Sequence, residues 1–377
     1  MGFHVTSSTA QPGERTFRAP QLYVQGPGVL DRLGDYAAVL GRYVLLVVDA
    51  GIRAHVEDTL FSSCRAAGLA CELVAVSGQV TRGAISTLVD GLDRRDHDVV
   101  VGVGGGKALD LAKGVAAELG ARVVTCPTIA SNDGPTAQVF ALYDDQDVLC
   151  ELGALAANPQ CVLVDTAVIA RAPARFLASG IGDALAKRFE ARGCTLGTGL
   201  TTQGTRPLLI GGVVASACYV VLLDHAVTAL ADVGRGEVTP AVEATVEAVV
   251  LMSGIGYENG GLSIAHCMTR GLMVGRGSSR ALHGFHVSYG LLVQLRLEEQ
   301  PDALVTEVRE FLRSAGLPVS LGELGMTDPT SEEVVALAEA ARSAPHVANT
   351  PAATSLSAVM AAIRQVERDA AAVGPKS

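Results

Sequence analysis

The first half of the chain alternates short, continuously hydrophobic runs with segments whose apolar residues follow helical spacing. Because apolar residues fill the runs instead of alternating with polar ones, we expect parallel strands covered on both faces. A helix is predicted over 108–120, with Gly120 as its C-cap residue, and a hairpin over 137–153. The predicted strands are residues 43–49, 71–78, 98–106, 121–128 and 160–166.

After about residue 168 these runs give way to apolar positions at helical spacing, as in RFLASGIGDALAKRFEAR at 175–192. Strands that alternate with helices, followed by helices alone, predict two domains. We expect an α/β domain with a Rossmann-like, doubly wound parallel sheet at 1–167, and an all-α domain at 168–377. Ligands are expected in the cleft between the two, at the carboxyl ends of the parallel strands.

Composition and hydropathy narrow the class of protein. The longest apolar run, 208–223, is shorter than the roughly 20 residues that a bilayer span requires, so it predicts a buried core helix. The net charge of -10 argues against a nucleic-acid partner. Eight cysteines without a C-x-x-C pair are typical of free thiols in a cytosolic protein. With no apolar signal segment among the first residues, we expect a cytoplasmic protein without a membrane partner.

Two features of the first half are candidates for binding a dinucleotide. GVGGGKALD places Gly105, Gly106 and Lys107 between a strand and a helix, where backbone amides can approach a pyrophosphate. A tight turn without a ligand is the alternative. Asp49, at the end of YVLLVVD, can accept hydrogen bonds from an adenosine ribose and would repel a 2′-phosphate, which favours NAD over NADP. A helix N-cap is the equally simple explanation of this aspartate.

Three residues of the second half match the ligand set of an open divalent metal site, which leaves a coordination position for substrate. They are Asp183, His266 and His283. Taken singly, the aspartate is typical of a helix start, and each histidine of a satisfied core residue. Taken together with the glycine run, they indicate a metal-assisted dehydrogenase. The loop PTIASNDGPTA at 127–137, with small hydroxyl residues around Asp133, is a second candidate for touching substrate or nicotinamide, or else a simple turn.

Five motifs of the chain resemble those of a known family. GGGKALDLAK, PTIASNDGP, GIGDALAKRFEAR, ENGGLSIAH and HGFHVSYGLLVQL occur in the order and spacing of the glycerol dehydrogenase branch of the iron-containing alcohol dehydrogenase superfamily. That superfamily shares its fold with the dehydroquinate synthases, so the resemblance implies a dehydroquinate synthase-like fold. It also implies a Zn²⁺ ion held by Asp183, His266 and His283. Iron-using relatives carry a histidine four residues after the aspartate, where this chain has Lys187, so zinc is favoured over iron.

The same resemblance implies an NAD site, a substrate contact and a homo-oligomer. Asp49 would hold the adenosine end of the cofactor, and Asp133 would contact the substrate. The residues expected to line the rest of the NAD site are Gly105, Gly106, Lys107, Thr128, Ile129, Ala130, Ser131, Ala137, Val139 and Tyr143.

Two departures from the family pattern concern the substrate. Tyr257 stands where phenylalanine is usual, and its hydroxyl could bond a polar group that glycerol lacks. His286, in HGFHVSYG, replaces a lysine beside ligand His283. We advance the hypothesis that His286 takes part in proton exit or substrate contact; a surface exchange without catalytic effect is the alternative.

The sequence therefore predicts an NAD-dependent, zinc-assisted dehydrogenase that oxidises a secondary hydroxyl of a small, glycerol-like polyol to a ketone. One alternative is a cyclitol or aminocyclitol dehydrogenase of specialised metabolism. Another is a sugar-phosphate cyclase of the dehydroquinate synthase type, although such a lyase needs several cations to clamp a phosphate. A binding protein without turnover is a third. The cations near the three ligands in the sequence are mainly Lys187, Arg188, Arg270 and Arg280.

Overall fold

The computed structural model describes residues 13–93, 96–146 and 148–372. Two compact units divide these residues. The first comprises Arg18–Ala174 together with Ala231–Gly254, and the second comprises the segment ending at Phe17, Arg175–Leu230 and the chain from Ile255 onward. The chain thus leaves the first unit, enters the second and returns before its last helices. A single domain boundary between residues 167 and 168 stays a prediction.

The first unit is built on eight strands and the helices that join them. In chain order these are β1 (Tyr23–Gly26), α1 (Leu33–Ala38), β2 (Tyr43–Asp49), α2 (Arg53–Ala66), β3 (Ala70–Val76), α3 (Arg82–Asp90), β4 (Val99–Gly104), α4 (Gly106–Leu119), β5 (Arg122–Pro127), β6 (Val139–Tyr143), β7 (Leu149–Ala154), β8 (Cys161–Asp165) and α5 (Thr166–Ala170).

Six of these strands form one parallel sheet in the order β1-β8-β5-β4-β2-β3. The other two, β6 and β7, pair antiparallel as the predicted hairpin. All five strands predicted from hydrophobic runs are confirmed. The edge strand β1 was not predicted, because it has only four residues, YVQG, none of them fully buried, and gives no hydrophobic run.

Both faces of the sheet are covered, as the continuous hydrophobic runs predicted. In β2, Val44, Leu46 and Val48 face one core, with α1 and α2 packed against them. Leu45 and Val47, which alternate with them, face a second core containing side chains of α3, α4 and the hairpin. All five side chains are completely buried. The sheet is therefore doubly wound.

The remaining helices make up the second unit and the returning segment of the first. They are α6 (Ala174–Leu196), α7 (Leu209–Gly234), α8 (Pro240–Glu247), α9 (Ser253–Gly260), α10 (Ile264–Leu272), α11 (His283–Leu297), α12 (Asp302–Ser314), α13 (Ser331–Arg342) and α14 (Leu356–Ala371), with a π-helical turn at Ala248–Met252 between α8 and α9. No strand occurs in the described chain after Asp165. The prediction of a helical second half is confirmed.

Helix α7 differs from its prediction as a buried core helix. It extends over 26 residues, and only 33% of its most apolar window is buried. Val213, Val220 and Val227 lie on the open side and are 62%, 53% and 45% exposed. Among the helices of the described residues, α7 alone has the length and composition of a membrane span. A single helix of this kind is weak evidence for a membrane, because core helices pass the same test.

Candidate active site

β2 and β4 are the neighbouring strands at which the strand order reverses, because the chain leads from β2 to β3 on one side and from β4 to β5 on the other. From β2 the chain continues into α2 on one face of the sheet, and from β4 into α4 on the other. Such a switch point opens a crevice between the two loops, the usual ligand site of open α/β sheets. Asp49 ends β2 there, and its Oδ1 accepts a hydrogen bond from the Gly51 amide at 2.8 Å. The aspartate that sequence analysis assigned to the adenosine end thus lies at this crevice.

Gly104 allows the two strand ends to approach each other. Its φ angle is +150°, and a Cβ atom added there would lie 2.7 Å from the Asp49 Cβ and 2.8 Å from the Ala108 Cβ. Any larger residue would force apart the turn and the loop that carries Asp49. The consecutive glycines of the sequence are therefore explained in part by close packing, before any ligand is considered.

The N-terminus of α4 offers backbone amides to an anion. Its N-cap residue is Gly105, and no side chain caps the helix. Unbonded amides and the positive end of the helix dipole together favour a phosphate group. Lys107 follows in the first turn with an exposed side chain, where it can add a positive charge. This arrangement fits the pyrophosphate of a dinucleotide.

The loop after β5 is hydrogen-bonded both to the glycine turn and to a side chain of α4. The Thr128 amide donates to the Gly104 carbonyl at 3.0 Å. Lys113, whose side chain is completely buried, donates to the carbonyls of Gly134 at 2.7 Å and Val139 at 3.0 Å. Sequence reasoning missed Lys113, because a lysine within an amphipathic helix gives no sign that its partners are backbone carbonyls.

The first unit holds all the residues expected to line the NAD site. They lie on the turn after β4, on the loop after β5 and on β6. Their exposure ranges from that of Lys107, which is exposed, to that of Ala130, which is 1% exposed. Their contact with NAD stays a prediction. They are Gly105, Gly106, Lys107, Thr128, Ile129, Ala130, Ser131, Ala137, Val139 and Tyr143.

Asp133 is anchored by a partner that the sequence did not indicate. Its side chain is buried, and Oδ2 accepts a hydrogen bond from the Ser253 hydroxyl at 2.7 Å. Ser253 directly follows the π-helical turn, whose Val250 carbonyl accepts a hydrogen bond from Thr136. π-Helical turns occur frequently at functional sites. The predicted contact of Asp133 with substrate remains untested.

In the second unit, three helices bring the proposed metal ligands together. Asp183 lies on α6, His266 on α10, and His283 is the first residue of α11. One ligand atom from each lies within 4.8 Å of the others. Asp183 Oδ1 is 3.2 Å from His266 Nε2 and 3.9 Å from His283 Nε2. Residues separated by up to 100 positions in the chain thus form one cluster.

Glycines permit this close approach of the helices. A Cβ atom added at Gly182 would lie 2.5 Å from the Gly284 carbonyl oxygen, and one added at Gly284 would overlap the Ser179 carbonyl. The Gly284 amide also donates to the Ser179 hydroxyl at 3.1 Å. Since Gly182 and Gly284 adjoin Asp183 and His283, the contact of α6 with α11 sets the distance between these two ligands.

The cluster has the electrostatics of a cation site. Burial disfavours ionisation of Asp183, but Lys187 and the two imidazoles outweigh it and hold the carboxyl pKa well below its usual range. The Lys187 Nζ lies 2.5 Å from Asp183 Oδ1 and 3.3 Å from His266 Nε2. The surrounding protein lowers the pKa of His283 to about 4, against the pull of Asp183, although 41% of the side chain is exposed, and this favours the neutral imidazole that a metal needs.

His266 is paired with a second carboxylate. Its Nδ1 donates to Glu190 at 2.8 Å. Burial acts against both charges, yet their mutual attraction raises the pKa of His266 to about 9 and lowers that of Glu190 to about 2. A carboxylate and two imidazoles, gathered around a point that already attracts the Lys187 cation, suit a divalent ion such as zinc. The residues present therefore fit the metal that the sequence predicted.

The two residues that were predicted to concern the substrate, Tyr257 and His286, have different surroundings. Tyr257 is 7% exposed, and the Lys187 Nζ lies 5.8 Å from the centre of its ring, so this tyrosine adjoins the cluster. His286 is buried one turn after His283, and its Nε2 donates to the Ser278 carbonyl at 2.8 Å. Burial lowers the pKa of His286. Its predicted part in proton exit stays untested.

Comparisons with known proteins show the family to which the chain belongs. The pattern of the family called iron-containing alcohol dehydrogenase matches residues 24–173. A glycerol dehydrogenase of Pseudomonas putida is 39% identical over 87% of this chain and 90% of its own length. A glycolaldehyde reductase of Halobacterium salinarum is 39% identical over 86% and 89%. A crystal structure of a probable glycerol dehydrogenase from Sinorhizobium meliloti 1021 superposes with a TM-score of 0.89 at 36% identity, covering 95% of this chain and all of the other. The resemblance seen in the sequence is confirmed, and the chain belongs to the iron-containing alcohol dehydrogenase family, together with its glycerol dehydrogenases.

Proposed function

We propose that the protein is an NAD-dependent, zinc-assisted dehydrogenase that oxidises a secondary hydroxyl of a small polyol to a ketone. The observation that carries this proposal is the cluster of Asp183, His266 and His283, whose ligand atoms lie within 4.8 Å of one another. The proposal is supported by relatives named glycerol dehydrogenase and glycolaldehyde reductase, both of which act on small hydroxylated compounds.

The residues of the chain divide the work of this reaction. Asp183, His266 and His283 would hold the zinc ion, with the negative charge of Asp183 in place at neutral pH. Asp49 would bind the adenosine ribose of the cofactor, and the backbone amides at the start of α4 would bind its pyrophosphate. Asp133, fixed by Ser253, would orient the substrate through its hydroxyls. When bound, zinc lowers the pKa of the reacting hydroxyl, and the nicotinamide accepts the hydride.

Replacing Asp49 with serine is expected to shift cofactor preference toward NADP⁺. The variant loses a carboxylate that would bond the ribose, so kcat/KM for NAD⁺ should fall about tenfold, the effect of one charged hydrogen bond. It also loses the charge that would repel a 2′-phosphate, so use of NADP⁺ should rise. Asp58→Ser, on the exposed face of α2, is the control. Unchanged discrimination between the cofactors would contradict the assignment of Asp49.

The substrate is tested by NADH formation with the zinc-loaded enzyme and a panel of alcohols. Glycerol and 1,2-propanediol test for a dehydrogenase of linear polyols, and inositols and aminocyclitols test for a cyclitol dehydrogenase. Turnover of the linear polyols is the expected result. Turnover of cyclic polyols alone would favour the cyclitol dehydrogenase and give Tyr257, which lies beside Lys187, a part in specificity. No turnover of any alcohol would overturn the proposal and favour the sugar-phosphate cyclase.

We also propose that the protein is a cytoplasmic homo-oligomer that self-associates through α7. Support comes from Val213, Val220 and Val227, which recur every seven residues and form one exposed apolar stripe along the helix. A second copy of the same helix can bury such a stripe by two-fold pairing. Val220→Glu is expected to lower the mass measured by sedimentation, whereas Val39→Glu, exposed just after α1, should not. A wild-type monomer at all concentrations would contradict this proposal.

A further inference from the structure

A buried carboxylate beside the metal ligands has no part in the mechanism described above. Glu190 lies on α6, seven residues after Asp183 and three after Lys187, so all three project from the same side of the helix. None of its surface is exposed. A charge buried to this degree is stable only when it is paired and fully hydrogen-bonded. The partners of Glu190 therefore indicate what it holds in place.

One oxygen of Glu190 fixes the backbone at the start of α10. Its Oε1 accepts hydrogen bonds from the amides of Ser263 at 2.9 Å and His266 at 3.1 Å. Ser263 is the N-cap residue of α10, but it does not cap the helix itself, because its hydroxyl donates to the Asn349 carbonyl. Glu190, which lies on the neighbouring helix α6, caps α10 in its place. The position of the His266 main chain is thus set by α6.

The other oxygen fixes the ring of the same histidine. The distance from His266 Nδ1 to Glu190 Oε2 is 2.8 Å. Because a carboxylate oxygen can only accept, Nδ1 keeps its proton, so in the neutral imidazole that binds a metal the lone pair belongs to Nε2. That nitrogen is the one that lies 3.2 Å from Asp183 Oδ1. One carboxylate therefore holds both the main chain and the ring of a ligand.

The geometry points to Glu190 as a positioning residue that holds His266 in the tautomer and orientation in which Nε2 can bind the metal. This inference rests on the proposed function, because it concerns the same metal site. Hydrogen bonds from ligand histidines to carboxylates have this effect at metal sites generally, and their loss typically weakens metal affinity about 10- to 100-fold.

Glu190→Gln separates the effect on the ring from the effect on the helix. The amide oxygen of glutamine can still accept from the Ser263 and His266 amides, which keeps α10 capped. The NH₂ group then faces Nδ1 and can only donate to it. His266 would have to carry its proton on Nε2, where no lone pair is left for the metal. The variant should therefore fold but bind zinc poorly.

The test measures zinc affinity by competition with a chromophoric chelator, for the full-length protein and three variants. Glu190→Gln is expected to weaken binding about 10- to 100-fold. Gln294→Met removes another cap of α10, the bond from the Ala265 amide, without touching a ligand ring. Glu367→Gln changes a carboxylate that accepts from the Leu321 amide and the Tyr289 hydroxyl. Both controls should bind zinc like the wild type.

Each outcome bears on the inference. Zinc affinity of Glu190→Gln equal to that of the wild type would overturn it, and so would an equal loss in Gln294→Met, which would reveal a mere effect of helix capping. If the wild type binds zinc but oxidises no polyol, the proposed function fails while the role of Glu190 is still decided by the variants. A wild-type protein that binds no zinc would overturn both.

Discussion

Replacing Asp183 with asparagine is expected to remove zinc-dependent activity almost completely. The variant loses the only anionic ligand of the cluster, and a lost ligand should weaken zinc affinity by more than the roughly 100-fold that a lost outer partner costs. Without several kcal/mol of metal stabilisation in the transition state, kcat/KM should fall on the order of a thousandfold. The measurements are zinc content after dialysis and NADH formation at saturating substrate.

The variant also leaves Lys187 buried without its carboxylate at 2.5 Å. Breaking a buried pair in this way typically costs about 3–5 kcal/mol, so the free energy of unfolding of the metal-free protein should fall as well. Asp110→Asn is a matched control, because Asp110 lies 3.7 Å from the buried Lys113 in the other unit. That variant should lose less stability, because Lys113 keeps its hydrogen bonds to the Gly134 and Val139 carbonyls, and it should keep its zinc. If Asp183→Asn retains zinc and turnover, the ligand assignment is wrong.

Replacing Gly284 with alanine is expected to produce the largest loss of stability for a single added methyl group. The new Cβ would overlap the Ser179 carbonyl, a backbone atom that cannot rotate away. Overpacking of this kind costs about 1–3 kcal/mol, and more where the backbone itself must move. Separating α11 from α6 also moves His283 away from Asp183, so zinc affinity should fall together with the free energy of unfolding.

Urea unfolding of metal-free and zinc-loaded protein measures both effects of Gly284→Ala. Gly212→Ala serves as the control, because Gly212 lies in helix α7 and a Cβ atom added there meets nothing within 4 Å. That change should be neutral or stabilise by up to about 1 kcal/mol, since alanine favours a helix more than glycine does. Unaltered stability of Gly284→Ala would contradict the close contact of the two helices.

The sheet was predictable because its strands are buried on both faces and therefore appear as unbroken hydrophobic runs. In β2, all residues from Val44 to Val48 are completely buried, and the predicted bounds 43–49 are those of the structure. Hydrophobicity could not indicate β1, which is short and partly exposed. Nor could it indicate that one face of α7 is open, because composition does not tell which side of an apolar helix meets other helices.

The site was predictable only as far as its residues belong to recognisable motifs. Asp183, His266 and His283 were singled out by residue type as a metal ligand set, and the resemblance to a family supported that choice, since the spacing between them carries no geometric information. Lys113, Glu190 and Ser253 were missed. Each is a polar residue within a helix, where an exposed position is the usual expectation. Their importance comes from partners such as the Gly134 carbonyl, which are contiguous only in the folded chain.

The central claim is that a metal ion held by Asp183, His266 and His283 is required for oxidation of a polyol by NAD⁺. The most direct test strips the protein of metal with a chelator and follows NADH formation from the best alcohol of the panel as zinc is added back. The metal-free enzyme is expected to be inactive, and activity is expected to return in proportion to zinc until one ion is bound per chain. Full activity of the metal-free protein would contradict this claim.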